Sequence, residues 1–197
     1  LLDSGEELPC GLVCIGKGVE PIVDYLEGSG TELDGGVVVD RFCETSSPGV
    51  YAAGDVGVTR NPITGERVVT GLWTNAAEMG RCAGRNMAGS RTAYTGTFGI
   101  LNATQLGRLP FVSMGIVHTA GGDYETRVSS SPGQYRKVVF SPDGSRLVGA
   151  LFVGGIERSG LYRYIIREGR DIGDIRAKVI AHDLHYGDLL PTAAQPS

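Results

Sequence analysis

The chain has 197 residues and a formal net charge of −4; 41% of its residues are hydrophobic and 20% are charged. This composition is typical of a folded globular protein rather than a disordered one. The sequence contains no run of about 18 apolar residues that would predict a membrane span and no signal-peptide pattern. Because the net charge is negative and no basic block is present, nucleic acid is not expected to be the main partner.

Four cysteines, Cys10, Cys14, Cys43 and Cys82, are scattered along the chain and form no Cys-x-x-Cys pair. Zinc sites and redox dithiols usually have tighter spacing. We therefore expect all four cysteines to be buried as small hydrophobic residues in a reducing compartment, which predicts a cytoplasmic protein.

The first part of the chain predicts short elements separated by turns. Residues 11–15 form an apolar run that is typical of a buried strand. The segment 21–26 predicts a short helix opened by Pro21, and residues 37–40 predict a second strand. Gly16-Lys17-Gly18 is similar to the start of a dinucleotide fingerprint. Pro21 occupies the position of the third glycine, so we reject a phosphate-binding loop here.

A longer motif follows at residues 45–55, Thr-Ser-Ser-Pro-Gly-Val-Tyr-Ala-Ala-Gly-Asp. Its apolar run, residues 50–53, predicts a buried strand that ends in Gly54 and Asp55. Open α/β sheets bind ligands at the carboxyl ends of their strands. A glycine there permits close approach of a ligand, and a carboxylate can accept charge-assisted hydrogen bonds from sugar-like hydroxyls. Considered alone, the Gly-Asp pair fits an ordinary strand and turn better than a binding site.

The clearest predicted helix covers residues 75–88. Asn75 and Glu78 have the spacing of a capping box, and Gly89 is expected to end the helix. The N-terminus of such a helix carries unpaired N–H groups and about half a positive charge, which suits an anionic group. One face is made mostly of small residues, and we expect it to pack closely against a sheet or a ligand. Its members are Ala76, Gly80, Ala83, Gly84 and Met87.

A Gly-, Ser- and Thr-containing stretch near residues 89–96 predicts a domain boundary. We divide the chain into a first domain at residues 1–92, a second at 97–190 and a tail at 191–197. In the second domain, strand-like runs at 98–101, 110–117, 124–128, 134–140 and 146–153 precede helices at 156–168 and 174–181. The turn at 141–144, Ser-Pro-Asp-Gly, joins the last two runs into a hairpin. The predicted fold class is α/β, followed by a small α+β domain with an antiparallel sheet and helices.

The motif at residues 45–55 resembles the second flavin-binding motif of the pyridine nucleotide-disulfide oxidoreductase superfamily, whose members have two dinucleotide-binding domains. The segment 13–21 is similar to the last strand and turn of the family's nicotinamide domain, and residues 27–40 are similar to its return to the flavin domain. Residues 73–76 resemble the flavin-facing helix, and residues 146–161 resemble the small C-terminal domain. Rubredoxin, ferredoxin and nitrite reductase-type reductases and NADH oxidases are the most similar members.

This resemblance implies roles for individual residues. Asp55 would bind the ribityl and phosphate part of FAD, and Gly54 would make room for it. Trp73, Thr74 and Asn75 would lie at the isoalloxazine ring, and Gly16 would lie near the nicotinamide. The resemblance assigns no catalytic residue and no metal ligand in this chain.

Two departures from the family pattern limit the expected function. The chain contains no Gly-x-Gly-x-x-Gly fingerprint and begins at Leu1, which predicts the C-terminal portion of an FAD-dependent NAD(P)H oxidoreductase that passes electrons to an acceptor. Such a portion holds half of the flavin site, so we expect it to be inactive alone and to retain neither FAD nor NAD(P)H. Its partners would be the missing N-terminal part and a redox protein.

The second departure is the absence of a His-Pro pair, which argues against thiol-disulfide catalysis through a C-terminal histidine. We interpret His182 and His185 as part of a polar turn rather than a metal site.

The alternative is a non-enzymatic role for the second domain, as a dimerisation or acceptor-docking module. Strands of the first domain that lack neighbours would also expose apolar edges, which invite pairing. Both arguments predict a homo-oligomer, such as a dimer.

Overall fold

The computed structural model describes residues 3–96, 102–120 and 122–190. Within these ranges it contains eight strands and three α-helices, arranged in two sheets. In chain order they are β1 (Val37–Val38), β2 (Gly57–Arg60), β3 (Arg67–Val69), α1 (Trp73–Met87), β4 (Asn102–Leu106), β5 (Leu109–Gly115), β6 (Glu125–Ser131), β7 (Gln134–Phe140), β8 (Leu147–Val153), α2 (Ser159–Glu168) and α3 (Arg176–Ala181). Two short 3₁₀ helices lie at Asp24–Leu26 and Tyr186–Leu189.

The first sheet has the strand order β1-β2-β3 and is small. β1 is parallel to β2, with Val37 opposite Gly57, and β3 is antiparallel to β2. Helix α1 contributes three buried side chains, Met79, Cys82 and Ala83, to the apolar core of this region. The resulting core consists of Val37, Val39, Cys43, Met79, Cys82, Ala83 and Tyr94. The predicted second strand at 37–40 is therefore present but shorter.

Helix α1 begins two residues before the predicted start. Leu72 is its N-cap and makes no capping side-chain hydrogen bond, so the predicted capping box is wrong. Glu78 instead faces Arg167 of α2 at 3.5 Å. The predicted end is confirmed: Gly89 has φ +80°, and the N–H groups of Gly89 and Ser90 bond to carbonyls of the last turn.

The buried face of α1 also differs from the prediction. Met79, Cys82 and Ala83 are buried, which is the i, i+3, i+4 pattern of one helix face. Gly80, Gly84 and Met87 are exposed, and a Cβ on either glycine would meet no atom within 4 Å. Met79, Cys82 and Ala83, rather than the glycines, therefore fill the space against the sheet.

Residues 11–15 do not form the predicted strand. Leu12 is 80% exposed and Ile15 is 81% exposed, and Cys10 and Cys14 are exposed as well, contrary to the expectation for these two cysteines. A strand needs a hydrogen-bonded neighbour, and no described segment pairs with this one. The predicted helix at 21–26 is reduced to the single 3₁₀ turn Asp24–Leu26.

The apolar run at 50–53 is not a buried strand either. It makes one isolated bridge, between Tyr51 and Glu44, and Val50 is 49% exposed. The buried strand of this region is β2, which the sequence analysis missed and which begins two residues after Asp55. Asp55 therefore lies at the amino end of a strand instead of the carboxyl end.

The second sheet has five antiparallel strands in the order β4-β5-β8-β7-β6. The predicted hairpin is confirmed, with Phe140 opposite Leu147. Helix α2 packs against the central strand β8, and the core between them includes Phe140, Phe152, Tyr162 and Ile165. The strand predictions at 110–117, 124–128 and 134–140 and both helices are confirmed with shifted ends. Strand β4 was not predicted, and residues 98–101 and the tail 191–197 lie outside the described ranges.

We expect Gly149→Ala to destabilise the second sheet by about 3 kcal/mol, because a Cβ on Gly149 would overlap the carbonyl oxygen of Ile116. Urea denaturation measures this effect. The matched control is Gly84→Ala, on the open face of α1, which should stabilise the chain by about 1 kcal/mol. Equal effects of the two changes would contradict the described packing.

His182 lies at the end of α3 with φ 56°, and its ring packs edge-on against Phe152 at 5.5 Å. Its Nδ1 is 3.2 Å from the hydroxyl of Tyr162. Burial lowers the pKa of His182 from 6.5 to about 4, with a smaller contribution from the charge of Arg136. The sequence analysis interpreted His182 as part of a polar turn, but its ring also packs against the core residues Phe152 and Tyr162.

Because the pKa of His182 is lower in the folded state, the unfolded chain binds more protons between pH 6.5 and about 4. Folding stability should therefore be complete above pH 6.5 and should fall as the pH decreases through this window. His182→Asn, which tolerates the same backbone conformation, should flatten that dependence in urea titrations. The exposed His118, changed to Asn as a control, should leave the pH dependence in place.

Candidate functional site

The motif that ends in Gly54 and Asp55 meets the first turn of helix α1. Gly54 has φ +82°, and a Cβ on it would lie 3.5 Å from the Cβ of Ala76. Its carbonyl accepts a hydrogen bond of 2.9 Å from the N–H of Gly57, which forms the tight turn into β2. A left-handed backbone this close to a helix requires glycine. Gly54 therefore fixes the helix N-terminus beside Asp55.

The carboxylate of Asp55 is exposed and makes no hydrogen bond or ion pair with any residue in the described ranges. It lies against the loop before α1, where a Cβ on Gly71 would be 3.4 Å from Asp55 Oδ2. The absence of a side chain at Gly71 thus keeps this carboxylate open. An ionised carboxylate in this position can accept strong hydrogen bonds from hydroxyl groups.

Trp73, Thr74 and Asn75 are the first three residues of α1. Trp73 is 89% exposed, and the first hydrogen bond of the helix runs from the N–H of Ala76 to the carbonyl of Leu72 at 3.0 Å. The N–H groups at this end have no acceptor within the helix, and they carry about half a positive charge. Together with Gly54 and Asp55, these residues form one surface that combines a carboxylate, an indole ring and a positive helix end.

Gly16 is not brought into this contact. It lies in an exposed segment, and a Cβ on it would meet no atom within 4 Å. Val19, three residues later, does reach the surface, since a Cβ on Gly71 would be 3.6 Å from Val19 Cγ2. The sequence analysis missed Val19 and Gly71; the Thr-Gly turn signal just before Trp73 could have drawn attention to Gly71.

An exposed apolar strip runs from Leu8 into the first 3₁₀ helix, and its Val19 reaches this surface. Its large side chains are more than half exposed: Leu8, Leu12, Val13, Ile15, Val19, Ile22 and Tyr25. Isolated exposed apolar residues are ordinary, but seven of them within one short segment leave a large apolar area open to contact.

Comparison with known proteins identifies the family. Residues 1–80 match the family model described as pyridine nucleotide-disulphide oxidoreductase. The chain belongs to this family. It is 30% identical over 188 residues to subunit epsilon of the NADH-dependent phenylglyoxylate dehydrogenase of Aromatoleum evansii. The aligned region covers 94% of this chain and 44% of that subunit. Such a relationship extends beyond the motif to both halves of the chain.

Two further similarities agree with this assignment. The ferredoxin–NAD(+) reductase component of the 3-phenylpropionate/cinnamic acid dioxygenase of Photorhabdus laumondii is 35% identical over 89 residues, 45% of this chain and 23% of that protein. The structure of an NAD-dependent persulfide reductase from A. fulgidus has a TM-score of 0.72 at 24% identity, covering 80% of this chain and 32% of that one. The chain thus spans less than half of the length of these relatives.

Within the described ranges, no helix is long and apolar enough to cross a membrane. The same ranges contain no cluster of three potential metal ligands among His, Cys, Asp and Glu.

The cysteines fall into two classes. Cys43 and Cys82 are buried, as expected, and Cys82 Sγ donates to the carbonyl of Thr92 at 3.1 Å. Burial, reinforced by the neighbouring Cys82 thiol, raises the pKa of Cys43 to about 12. Since the thiolate is the reactive form, this thiol is inert near neutral pH.

We expect iodoacetamide at pH 8 to modify Cys10 and Cys14 rapidly in the folded chain and to leave Cys43 and Cys82 unmodified, as measured by mass spectrometry. The double variant Cys10→Ser/Cys14→Ser should show no rapid modification. In urea, the two buried thiols should become reactive. Rapid modification of Cys43 under native conditions would contradict the described core.

Proposed function

We propose that this chain forms one wall of the flavin site of an FAD-dependent NAD(P)H oxidoreductase. The observation that carries this proposal is the contact between Gly54 and Ala76, which sets the open carboxylate of Asp55 beside the N-terminus of α1. FAD presents ribityl hydroxyls and an isoalloxazine ring that becomes anionic on reduction, and these groups match the two features of the surface. Family membership supports the same assignment.

Each residue then has a defined task. Asp55 accepts hydrogen bonds from the ribityl chain, and Gly54 leaves space for it. Trp73, Thr74 and Asn75 border the ring, where the positive helix end favours negative charge on the pyrimidine edge. When bound, flavin supplies the hydride and electron-transfer chemistry, and the protein contributes position and electrostatics. Gly16 lies near the nicotinamide in this proposal.

In this proposal, the other wall of the flavin site is formed by a part of a longer protein that lies outside these 197 residues. The chain spans 44% of the Aromatoleum subunit, and the exposed apolar strip provides a surface that additional protein can cover. The whole protein would take electrons from NADH or NADPH and pass them to an acceptor such as a redox protein, as the ferredoxin reductase relative does by its name. We place it in the cytoplasm as a homo-oligomer.

A second candidate function concerns the predicted domain at 97–190. Its described part has its own five-stranded sheet and its own core, distinct from the core beneath α1. A unit of this kind suits dimerisation or docking without taking part in the chemistry. A colourless chain that forms a stable dimer in light scattering, and whose dimer is retained by residues 102–190 alone, would favour this candidate.

The flavin proposal is tested by FAD binding. The 197-residue chain should lose added FAD on desalting, because it supplies only one wall of the site; a purified chain that is yellow with near-stoichiometric FAD would contradict this expectation. In the longer protein, Asp55→Asn should weaken FAD binding about tenfold or more, since the hydroxyl groups of FAD would then donate to a neutral amide instead of a charged carboxylate. Fluorescence quenching of FAD measures the affinity.

The matched control is Asp123→Asn, which removes an exposed carboxylate remote from α1 in the sequence. It should leave the FAD affinity unchanged. Equal affinities of the Asp55 variant and the unchanged protein would refute the proposed role of Asp55.

A further inference from the structure

Four arginines from two helices gather around a single carboxylate. Arg163 and Arg167 of α2 face Glu78 of α1 at 4.0 and 3.5 Å. Arg81 and Arg85 of α1 line the same shallow depression as Glu78 and Arg167. Four positive charges and one negative charge give this arginine surface a net charge of +3, in a chain whose total is −4. The charge is therefore concentrated locally and is not a property of the whole chain.

Arg81 and Arg85 are the unexplained members of this surface. Both are exposed, and neither forms an ion pair with any residue that the structure describes. They are four residues apart on a helix, an arrangement in which like charges repel. Arg85 is in the last turn, where the helix dipole favours a cation, but Arg81 lies too far from the end for that benefit. Both charges are therefore open to a binding partner.

The shape of the surface indicates a macromolecular partner. The depression has a volume of about 200 Å³, below the ~300 Å³ at which small-molecule pockets begin. A nucleic acid would require a longer basic stripe, since each phosphate contact adds only part of the affinity, and the net charge of −4 opposes a polyanion at long range. A small protein with an acidic face fits a local cluster of this size.

We propose that the arginine surface, formed by Arg81, Arg85, Arg163 and Arg167, docks the acidic face of the small protein that accepts electrons from the flavin site. This inference rests on the proposed function. Arg81 follows Trp73 by eight residues, which is about 12 Å along the axis of α1. A protein seated on the surface thus lies beside the helix end that borders the flavin. Unpaired arginines at such a rim accelerate association and orient the partner.

The test measures binding of a plant-type [2Fe–2S] ferredoxin, a small acidic protein, to the immobilised 197-residue chain at low ionic strength. Arg81→Gln/Arg85→Gln should weaken binding about fivefold to tenfold, mainly through slower association, and should reduce the salt dependence. Glutamine keeps a high helix propensity, and circular dichroism confirms that α1 is retained. The control is Arg108→Gln/Arg127→Gln, which removes the same total charge from exposed positions in the second half of the chain.

A loss of ferredoxin affinity that is specific to the arginine surface supports the proposal: the Arg81/Arg85 variant binds ferredoxin more weakly and the control variant does not. Equal effects of both variants, or no binding of the unchanged chain at low ionic strength, would overturn it. Tighter binding of a DNA duplex than of ferredoxin, lost in the Arg81/Arg85 variant, would overturn it in favour of a general polyanion site. The assay contains no flavin, so the FAD test of Asp55 and this test fail independently of each other.

Discussion

The contact between helix α1 and the two glycines of the Gly54–Gly57 turn is the constraint on which the first half of the chain depends. A Cβ on Gly54 would touch Ala76, and one on Gly57 would lie 2.6 Å from Met79 Cε. Because both positions lack a side chain, Met79 can enter the small core beside Val37 and Cys43. The same approach fixes the start of α1 beside Asp55. Packing and the candidate site therefore share one structural origin.

Helix α1 contributes residues to two different surfaces along its length. Its first turn presents Trp73 and the positive helix end to the proposed cofactor wall. Two turns later, its solvent-facing side contributes Glu78, Arg81 and Arg85 to the arginine surface shared with α2. A rigid helix keeps these surfaces at a fixed separation, so a protein docked on the arginines would have a defined position relative to the cofactor wall. The second sheet supports this arrangement because it positions α2 against β8.

The sequence predicted the second half much better than the first. The hairpin β7–β8 and helix α2 follow from local signals: a Ser-Pro-Asp-Gly turn, an apolar run and a terminal glycine. Residues 11–15 and 50–53 have equally apolar sequences, yet neither forms a strand. An apolar run becomes a strand only where a neighbouring segment pairs with it over several residues. In the described ranges residues 11–15 have no such neighbour, and residues 50–53 make only the isolated bridge between Tyr51 and Glu44. Periodicity alone does not contain that information.

Similar reasoning applies to the site. By itself, the sequence predicted the family motif, the candidate residues Gly54, Asp55, Trp73, Thr74 and Asn75, and a helix beginning at Asn75; the structure extends that helix to Trp73. Only the tertiary structure decided that β2 follows Asp55, that Gly71 leaves its carboxylate open, and that Gly16 lies apart. It also brought the arginines of α2 to those of α1, about eighty residues apart in sequence. Local signals fix turns and helix ends because neighbouring residues decide them. Contacts between distant segments depend on the complementary shapes of side chains, which a single sequence does not reveal.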